Sequence, residues 1–322
     1  MSVTTIIVTY NRKDDLCRCI EAVLAQTVVP DNLLIVNNAS TDNTENFLYE
    51  KFGNPVDKKR MDGDNILFLQ SINNVSVYLI NKSVNTGGAG GFYTGLKLAY
   101  EYFLTDYYWM MDDDGYPTEL CLEKLLESIC TNDYVMPISI DIDDNDKLSW
   151  PTRKRDNTRT EFYRELKDSW GEIMNHVTPF NGVLLTKRCV SIVGFINKNF
   201  FIWGDDYEHY YRCLQAGIVP ITIMNAKFLH PAQKVMLKPI CFGLLHVAFS
   251  ESELRMVCMI RNWTYIYLHY DKKVKIPIKF LMYTWLFLIT RKWDIRGWIL
   301  YCHSVMDGIR GNFTRHLKYL PK

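Results

Sequence analysis

The sequence predicts an α/β fold, in which a mostly parallel sheet is flanked by helices and is followed by a C-terminal helical module. Short β-branched runs alternate with amphipathic helical segments over the first two thirds of the chain, as in parallel sheets with crossover helices. Polar and glycine-rich loops follow several of these runs, where α/β proteins bind ligands. Near residue 234 the alternation stops. We therefore expect one domain over 1–233 and a second over 234–322.

Composition excludes several classes of protein. The 322 residues are 48% hydrophobic and 23% charged, as in an ordinary folded protein. The 37 basic and 36 acidic residues nearly cancel, so no nucleic-acid partner is expected. The nine cysteines form no CxxC pair and are expected to be free thiols in a cytoplasmic protein. The first residues, MSVTTIIVTYNR, carry no basic region and no cleavable apolar segment, so we do not expect a secreted protein, and no apolar run reaches the roughly 20 residues of a membrane-spanning helix.

The chain begins with a predicted βαβ unit. Residues 4–9 form a β-branched run that predicts a buried strand, and 13–26 carry apolar residues at helical spacing. Further strands are predicted at 32–37 and 75–80. This beginning indicates parallel strands joined by a right-handed crossover.

A polar loop, NNASTDNT, follows the second strand and leads into a helix expected to start near Thr44. Ser40, Thr41 or Asp42 could each cap that helix. The charged, glycine-containing segment 52–65 predicts a surface loop.

Five small residues, GGAGG at 87–91, are expected to form a loop before a helix over 92–103. Backbone amides can approach a ligand closely there, and the positive end of the helix favours a phosphate. The loop is neither a Walker motif nor a dinucleotide-binding GxGxxG motif. Close packing of the helix on the sheet is the alternative explanation.

Three consecutive carboxylates follow the apolar strand predicted at 107–111. Asp112 and Asp114, as alternate members of an extended triplet, can point the same way and bind one hard cation such as Mg²⁺ or Mn²⁺. The alternative is an acidic turn closed by Gly115 and Pro117.

The remaining elements of the first domain continue the alternation. We predict a helix over 119–130, a strand over 134–140, an irregular insertion over 141–168, a strand over 181–186 and a short strand ending just before His230. A lone histidine is more often structural, but one at a strand end could complete a metal site.

A second acidic pair follows an aromatic run in FFIWGDDYE, and a helix is predicted from 207 to 216. Asp205 and Asp206 could simply stabilise the positive end of that helix. Alternatively, two adjacent carboxylates in a dry cleft have a raised pKa and suit a general base, with Trp203 as a platform for a sugar ring.

The C-terminal module interleaves aromatic and basic residues, as in 261–267 and 280–293. Helices of this composition lie at membrane interfaces. A helical subdomain that packs on the core or on another subunit explains the pattern equally well, and both interpretations remain open.

Together, these features indicate group transfer from an activated diphosphate donor. A metal would neutralise the leaving diphosphate, and a carboxylate would take a proton from the acceptor hydroxyl. A non-catalytic nucleotide-sugar binder would not need two carboxylate sites. A nucleotidyltransferase would need a basic residue in the glycine-rich segment 85–95, which contains none.

Five ordered motifs also carry a resemblance to a known family. They are VTYNR at 8–12, VNNASTDNT at 36–44, NTGGAGGF at 85–92, WMMDDDGYP at 109–117 and FIWGDDYEHYYR at 201–212. Over about 3–231 the chain resembles the family 2 inverting glycosyltransferases with the GT-A fold. It is most similar to the bacterial galactofuranosyltransferase-like and rhamnosyltransferase-like members.

The resemblance implies a role for each matching residue. The nucleotide-sugar would be bound by Thr9, Asn11, Arg12, Asn37, Asn85, Gly87, Gly88, Gly91, Asp112 and Asp113. Mn²⁺ or Mg²⁺ would be held by Asp112, Asp114 and His230. Asp206 would be the catalytic base with Asp205 as its neighbour, and Trp203, Asp205 and Glu208 would contact the acceptor.

One departure from the family is Asn37, which stands where many relatives have Asp. The triple Asp and GGAGG resemble the galactofuranosyl branch. The implied activity is metal-dependent, inverting transfer of galactofuranose from UDP-galactofuranose to a hydroxyl of a cell-surface polysaccharide or lipid-linked glycan, and the alternative donor is dTDP-rhamnose. The enzyme would be cytoplasmic, and peripheral at the inner face of the cell membrane if its C-terminal module binds lipid.

Overall fold

The computed structural model describes residues 1–61, 63–154, 156, 158–166, 172–174, 179–232, 236–270 and 272–320. The chain divides into two compact units. The first comprises Met1–Lys198 and His209–Gln233, and the second Asn199–Glu208 and Lys234–Lys322. The predicted boundary at 233–234 lies outside the described residues.

The first unit contains one large sheet. Its strands are β1 (Val3–Thr9), β2 (Asn32–Asn37), β3 (Asp57–Met61), β4 (Asp64–Ile72), β5 (Val75–Asn81), β6 (Tyr107–Asp112), β7 (Tyr116–Pro117), β8 (Tyr134–Ile140), β9 (Lys147–Arg153), β10 (Arg159–Phe162), β11 (Glu172–Met174), β12 (Asn181–Thr186) and β13 (Ile221–Leu229). Its helices are α1 (Lys13–Leu24), α2 (Thr44–Phe52), α3 (Gly87–Tyr102), α4 (Cys121–Ile129) and α5 (Lys187–Val193). Helix α6 (Asp205–Gln215) begins within the second unit's residues.

Four parallel strands form the centre of the sheet, in the order β6-β1-β2-β5, and antiparallel strands extend it on both sides. The register aligns their carboxyl ends. Thr9 lies opposite Asn37, and Asn37 lies opposite Asn81. On the other side Val8 pairs with Asp112. The polar residues that end these strands therefore meet at one edge of the sheet.

Different helices cover the two faces of the sheet. Side chains alternate along a strand, so Ile6 and Ile7 of β1 point to opposite faces. Ile7 packs in a buried cluster with apolar residues of α1, α2 and α4, and Ile6 packs in a second cluster with those of α3 and α5. The sheet is therefore the middle layer of a three-layer structure, and the predicted α/β class is confirmed.

Two predicted loops are wrong. Half of 52–65, namely 57–61 and 64–65, belongs to β3 and the start of β4, because a strand at the sheet edge can carry Lys58, Lys59 and Arg60 exposed to water. Residues 87–91 form the first turn of α3 instead of a loop. A Cβ added at Gly91 would lie 2.4 Å from Val8 Cγ1, so glycine there lets α3 pack closely on β1.

The predicted irregular insertion over 141–168 is wrong for 147–153 and 159–166, which form strands and a 3-10 turn, whereas 141–146 are irregular. Strands β9 and β10 pair antiparallel, and β9 continues the sheet beside β8. Residues 155, 157, 167 and 168 of this segment lie outside the described residues. Trp150 of β9 lies against His230, with ring centroids 4.5 Å apart.

The second unit begins with an antiparallel hairpin, β14 (Leu237–Ile240) and β15 (Leu245–Ala248), and continues with α7 (Glu253–His269), α8 (Lys275–Trp285) and α9 (Ile295–Arg310). A π-helical turn, Leu286–Thr290, extends α8. Aromatic and aliphatic side chains of these elements form one buried cluster. Over the part of the chain that the structure describes, no helix is long and apolar enough to cross a membrane.

Candidate active site

The first cluster of predicted site residues lies at the carboxyl ends of β1, β6 and β13. Thr9 Oγ1 donates a hydrogen bond to Asp113 Oδ2 at 2.6 Å. The Arg12 guanidinium forms an ion pair with Asp114 and lies 3.5 Å from Asp113 Oδ1. His230 Nε2 lies 3.2 Å from Asp114 Oδ1. The fold thus brings together residues that are more than 200 positions apart in the sequence.

The two carboxylates of this cluster have opposite electrostatics. Burial raises the pKa of Asp113 to about 7, although its contacts with Thr9 and Arg12 partly offset the rise. Burial also acts to raise the pKa of Asp114, but His230 and Arg12 outweigh it and lower that pKa to about 2. Asp114 is therefore ionised at neutral pH and is the better partner for a cation.

Asp114 and His230 fit a hard divalent cation. Neighbouring ligands of an octahedral ion at about 2.1 Å lie roughly 3 Å apart, close to the 3.2 Å between Asp114 Oδ1 and His230 Nε2. Asp112, the third predicted ligand, ends β6. No group of three or more His, Cys, Asp or Glu side chains stands ready to hold a metal among the residues described. The structure therefore assembles two of the three predicted ligands, with Arg12 as a competing cation.

A second polar network joins the ends of β2 and β5 to α2. Asn37 Nδ2 donates to Asn81 Oδ1 at 3.0 Å, and Asn81 Nδ2 donates to Glu45 Oε1 at 2.7 Å. Tyr49 also donates to Glu45 Oε1. Glu45, Tyr49 and Asn81 line a cavity of about 700 Å³. Glu45 and Asn81 match no motif in the sequence, and their positions at a helix start and a strand end are the signals that identify them.

Asn38 and Asn85 organise the start of α3. Asn38 is buried, and its Nδ2 donates to the carbonyl of Gly87 at 2.9 Å while its Oδ1 accepts from the amide of Thr86. Asn85 Oδ1 accepts from the amide of Gly87 at 2.7 Å. Because Gly87 already has this acceptor, amides further into the first turn remain for a ligand. Gly88 has open space around it, whereas Gly91 packs on Val8.

The loop after β1 is tied to the loop after β2. The amide of Asn11 donates to Ser40 Oγ at 3.0 Å, and Asn11 Oδ1 accepts from the amide of Thr41 at 2.6 Å. The N-cap of α2 is Asn43, which makes no side-chain cap bond, so the predicted cap at Ser40, Thr41 or Asp42 is wrong. Asp42, the residue before the N-cap, accepts from the amide of Thr44, and its other oxygen accepts from the amide of Lys13. Asp42 therefore stabilises the starts of α1 and α2 together.

Trp203, Asp205, Asp206 and Glu208 belong to the second unit. Asp205 and Asp206 form the first turn of α6, as predicted. Burial raises the pKa of both carboxyls, and at Asp205 the charge of Asp206 adds to the rise. Glu208 is buried and accepts a hydrogen bond from the hydroxyl of Tyr270 at 2.9 Å. Two carboxyls with raised pKa values suit proton transfer near neutral pH.

Asn262 of α7 was missed by the sequence analysis. Its Nδ2 lies 3.0, 2.9 and 2.7 Å from the carbonyl oxygens of Phe200, Ile202 and Trp203, in the loop before Asp205. The composition of 261–267 predicts an interfacial surface as one of two interpretations, but Arg261 and Asn262 are fully buried. The interfacial interpretation is therefore wrong for these two residues. Both make the internal hydrogen bonds that buried polar side chains need.

Comparison with known proteins gives consistent results. Residues 4–187, more than half of the chain, match the family model described as glycosyl transferase family 2. The chain is 29% identical over 302 residues to galactofuranosyltransferase GlfT1 of Mycolicibacterium smegmatis, covering 92% of each protein. It is 28% identical over 307 residues to GlfT1 of Mycobacterium tuberculosis, covering 92% of this chain and 91% of that one.

Two solved structures share the fold at 12% identity. S. aureus TarS 1-349 superposes with a TM-score of 0.53 and covers 97% of this chain and 82% of its own. GalNAc-T7 with UDP, GalNAc and Mn²⁺ superposes with a TM-score of 0.51 and covers 72% and 43%. These likenesses support the predicted GT-A fold class.

Proposed function

The chain belongs to glycosyl transferase family 2 and is a glycosyltransferase, and from this premise we propose that it transfers galactofuranose from UDP-galactofuranose to a hydroxyl group of a growing cell-surface polysaccharide or lipid-linked glycan. The observation that carries the proposal is the likeness to galactofuranosyltransferases over 92% of this chain. The polar edge of the sheet supports it, because ligands of α/β proteins bind beyond the carboxyl ends of the strands.

On the donor side, we assign the predicted residues as follows. The nucleoside is held by Thr9, Asn11, Arg12 and Asn37, and the rest of the donor by Asn85, Gly87, Gly88, Asp112 and Asp113. Gly91 packs on Val8 and is therefore not assigned to the donor. Mn²⁺ or Mg²⁺, held by Asp112, Asp114 and His230, would neutralise the charge of the departing diphosphate. The contact between Asp114 and His230 supports this ligand set.

On the acceptor side, Asp206 is the base. It accepts the proton of the acceptor hydroxyl while the hydroxyl oxygen forms a bond to the anomeric carbon of the donor sugar. The bond from this carbon to the diphosphate oxygen breaks, and UDP leaves with the electron pair. The new bond forms opposite the one that breaks, so the configuration inverts. Asp205, Glu208 and Trp203 would contact the acceptor, and the raised pKa of Asp206 supports its role as a base.

Release of nucleoside diphosphate from a panel of donors tests this function. The purified protein is incubated with UDP-galactofuranose, UDP-galactopyranose or dTDP-rhamnose, with and without a panel of polysaccharide and lipid-linked glycan acceptors. Release that is fastest from UDP-galactofuranose and needs an acceptor supports the proposal. Faster release from dTDP-rhamnose would overturn the donor assignment, and release from no donor would overturn the function.

We further propose that the second unit binds an anionic lipid surface at the inner face of the cell membrane. The tip of the β14-β15 hairpin exposes Phe242 and Leu244, whose relative exposures are 94% and 82%. The Phe242 ring lies 5.8 Å from that of Trp285, at the end of α8. On α8, Leu281 is 70% exposed. Apolar side chains that project into water in this way suit insertion among lipid headgroups.

The charge of the same region favours anionic lipid. The segment 272–293 carries six basic residues and no acidic one, in a chain whose net charge is only +1. Basic residues near an anionic membrane each contribute about 1 kcal/mol to binding. Apolar protrusions beside a cationic segment therefore support a lipid surface as the partner of this unit.

A further inference from the structure

The loop that precedes the acidic pair has an unfavourable backbone. Phe201 and Trp203 have φ angles of 66° and 73°, and Gly204 follows with a φ of 83°. Residues other than glycine rarely adopt these left-handed conformations, which persist only where surrounding contacts offset their strain. The loop ends where α6 begins at Asp205. Contacts that hold the loop therefore also fix the start of the helix that carries both carboxylates.

The side chain of Asn262 provides such contacts. Its Nδ2 lies 2.7–3.0 Å from three carbonyl oxygens of the loop, so two hydrogens are shared among three acceptors. Arg261 Nε donates to Asn262 Oδ1 at 2.8 Å, which turns the amide so that its NH₂ group faces the loop. Arg261 Nη2 also donates to the carbonyl of Phe200 at 2.9 Å.

A third buried residue, His316, contacts Arg261. His316 Nδ1 lies 3.0 Å from Arg261 Nη1, and burial, followed by the charge of Arg261, lowers the pKa of His316 to about 4. The imidazole is therefore neutral at pH 7 and accepts the hydrogen bond from Arg261. His316, Arg261 and Asn262 form a continuous buried chain that ends at the loop.

The C-terminal end of α7 makes a separate contact with α6. Tyr270, the residue after α7, donates from its hydroxyl to Glu208 Oε1 at 2.9 Å. Glu208 lies in the first turn of α6, three residues after Asp205. The first turn of α6 is thus held at its start by Asn262 and at its end by Tyr270.

We propose that Asn262 and Tyr270 are positioning residues for the reaction, which hold the loop 200–204 and Glu208 so that the first turn of α6 presents Asp206 as the base. This inference rests on the proposed function for the role of Asp206. It gives the second unit a part in catalysis that does not depend on any membrane contact.

Asn262→Asp and Tyr270→Phe test the inference, with Thr264→Val as the matched control. The aspartate side chain would keep the shape of Asn262 but direct an oxygen at three carbonyl oxygens, and the phenylalanine ring would lack only the hydroxyl of Tyr270. Thr264 lies on the same helix, and its hydroxyl donates within α7, to the carbonyl of Ile260.

We expect kcat to fall at least tenfold in Asn262→Asp and about threefold in Tyr270→Phe. KM for the donor and Kd for UDP should change less than twofold, and the control should keep its kcat.

Two further measurements separate positioning from folding and from the function itself. Adding Asn262→Asp to Asp206→Asn should lower the residual rate less than twofold, because both changes act through one base. Hydrogen exchange of amides 204–208 should accelerate at least tenfold in Asn262→Asp and stay unchanged in Thr264→Val, whether or not a donor is turned over. Unchanged kcat in both variants, or unchanged exchange at 204–208, would overturn the inference. A wild-type protein that releases no nucleotide would overturn the proposed function, while the exchange result would still decide whether Asn262 holds the loop.

Discussion

Asn37 donates a hydrogen bond to Asn81 at 3.0 Å, and Asn81 in turn donates to Glu45. The resemblance to family 2 glycosyltransferases implies a carboxylate at position 37, and the network places one at Glu45, two hydrogen bonds from Asn37. Glu45 also lines the cavity of about 700 Å³, together with residues of β3, β4 and β5. The carboxylate missing from position 37 is thus present on the neighbouring helix.

Glu45→Gln should therefore weaken UDP binding about tenfold, because a hydrogen bond to a charged group contributes roughly 1.5–3 kcal/mol. Titration calorimetry with UDP measures the change. Glu50→Gln is the control, since Glu50 lies on the same helix, is exposed and does not line the cavity. Equal affinity of Glu45→Gln and the wild type would show that Glu45 does not contact the nucleoside.

The sequence predicted the parallel centre of the fold well because its signals are local. Buried β-branched runs define β1, β2 and β8. Asp112 and His230 were predicted at strand ends, and the structure has them at the ends of β6 and β13. It failed for β3, whose polar residues form a strand only because β4 lies beside them. Pairing between distant segments leaves little trace in the sequence of either one.

The candidate site shows the same division. The positions of Asp114 and His230 after two strands, together with the family resemblance, were sufficient to predict that they would meet. Asn262 could not be predicted in the same way, because its three acceptors lie 59–62 residues away and are backbone carbonyls, which any residue type provides. The available signal was the adjacent Arg261 and Asn262 in an otherwise apolar part of α7, because buried polar side chains need hydrogen-bond partners.

Asp206→Asn should lower kcat by roughly 10²–10⁴-fold, the range for loss of a general base. Asn has the shape of Asp but cannot accept the proton of the acceptor hydroxyl. The Kd for UDP should stay within twofold of the wild-type value. Initial rates of UDP release and calorimetry on the same preparation check both expectations. A kcat within threefold of the wild-type value would rule out Asp206 as the base.

Asp205→Asn should stabilise the protein at high pH. Burial and the charge of Asp206 raise the pKa of Asp205 above its usual value, so the folded state binds its proton more tightly than the unfolded state does. The stability contributed by this group is present at low pH and is lost as the pH rises through the folded-state pKa. The increase in Tm of Asp205→Asn over the wild type should therefore be larger at pH 9 than at pH 5. Thermal unfolding at both values checks this, and an equal increase at both would contradict the raised pKa.

Asp112→Ala should weaken UDP binding only when a divalent cation is present. A carboxylate that holds the cation on the diphosphate contributes nothing to affinity once the cation is removed. Calorimetry with UDP in Mn²⁺ and in EDTA should show a loss of at least tenfold in Mn²⁺ and a change of less than twofold in EDTA. The same weakening under both conditions would indicate a direct contact with the donor, and unchanged affinity in Mn²⁺ would exclude Asp112 as a ligand.

Replacing Phe242 and Leu244 together by Ser should reduce binding to vesicles that contain 30% phosphatidylglycerol in phosphatidylcholine by at least tenfold. Burying these two exposed side chains in the headgroup region contributes roughly 1.5–3 kcal/mol each when burial is complete. The basic segment 272–293 adds the salt-dependent part of the binding free energy.

Leu104→Ser is the control, because Leu104 is equally exposed, at 94%, but belongs to the first unit. Co-sedimentation at 50 and 300 mM NaCl separates the two contributions, since added salt should weaken wild-type binding without abolishing it. Equal binding by the double variant and the wild type, or equal binding to pure phosphatidylcholine, would show that this surface does not bind an anionic membrane and would favour a protein partner instead.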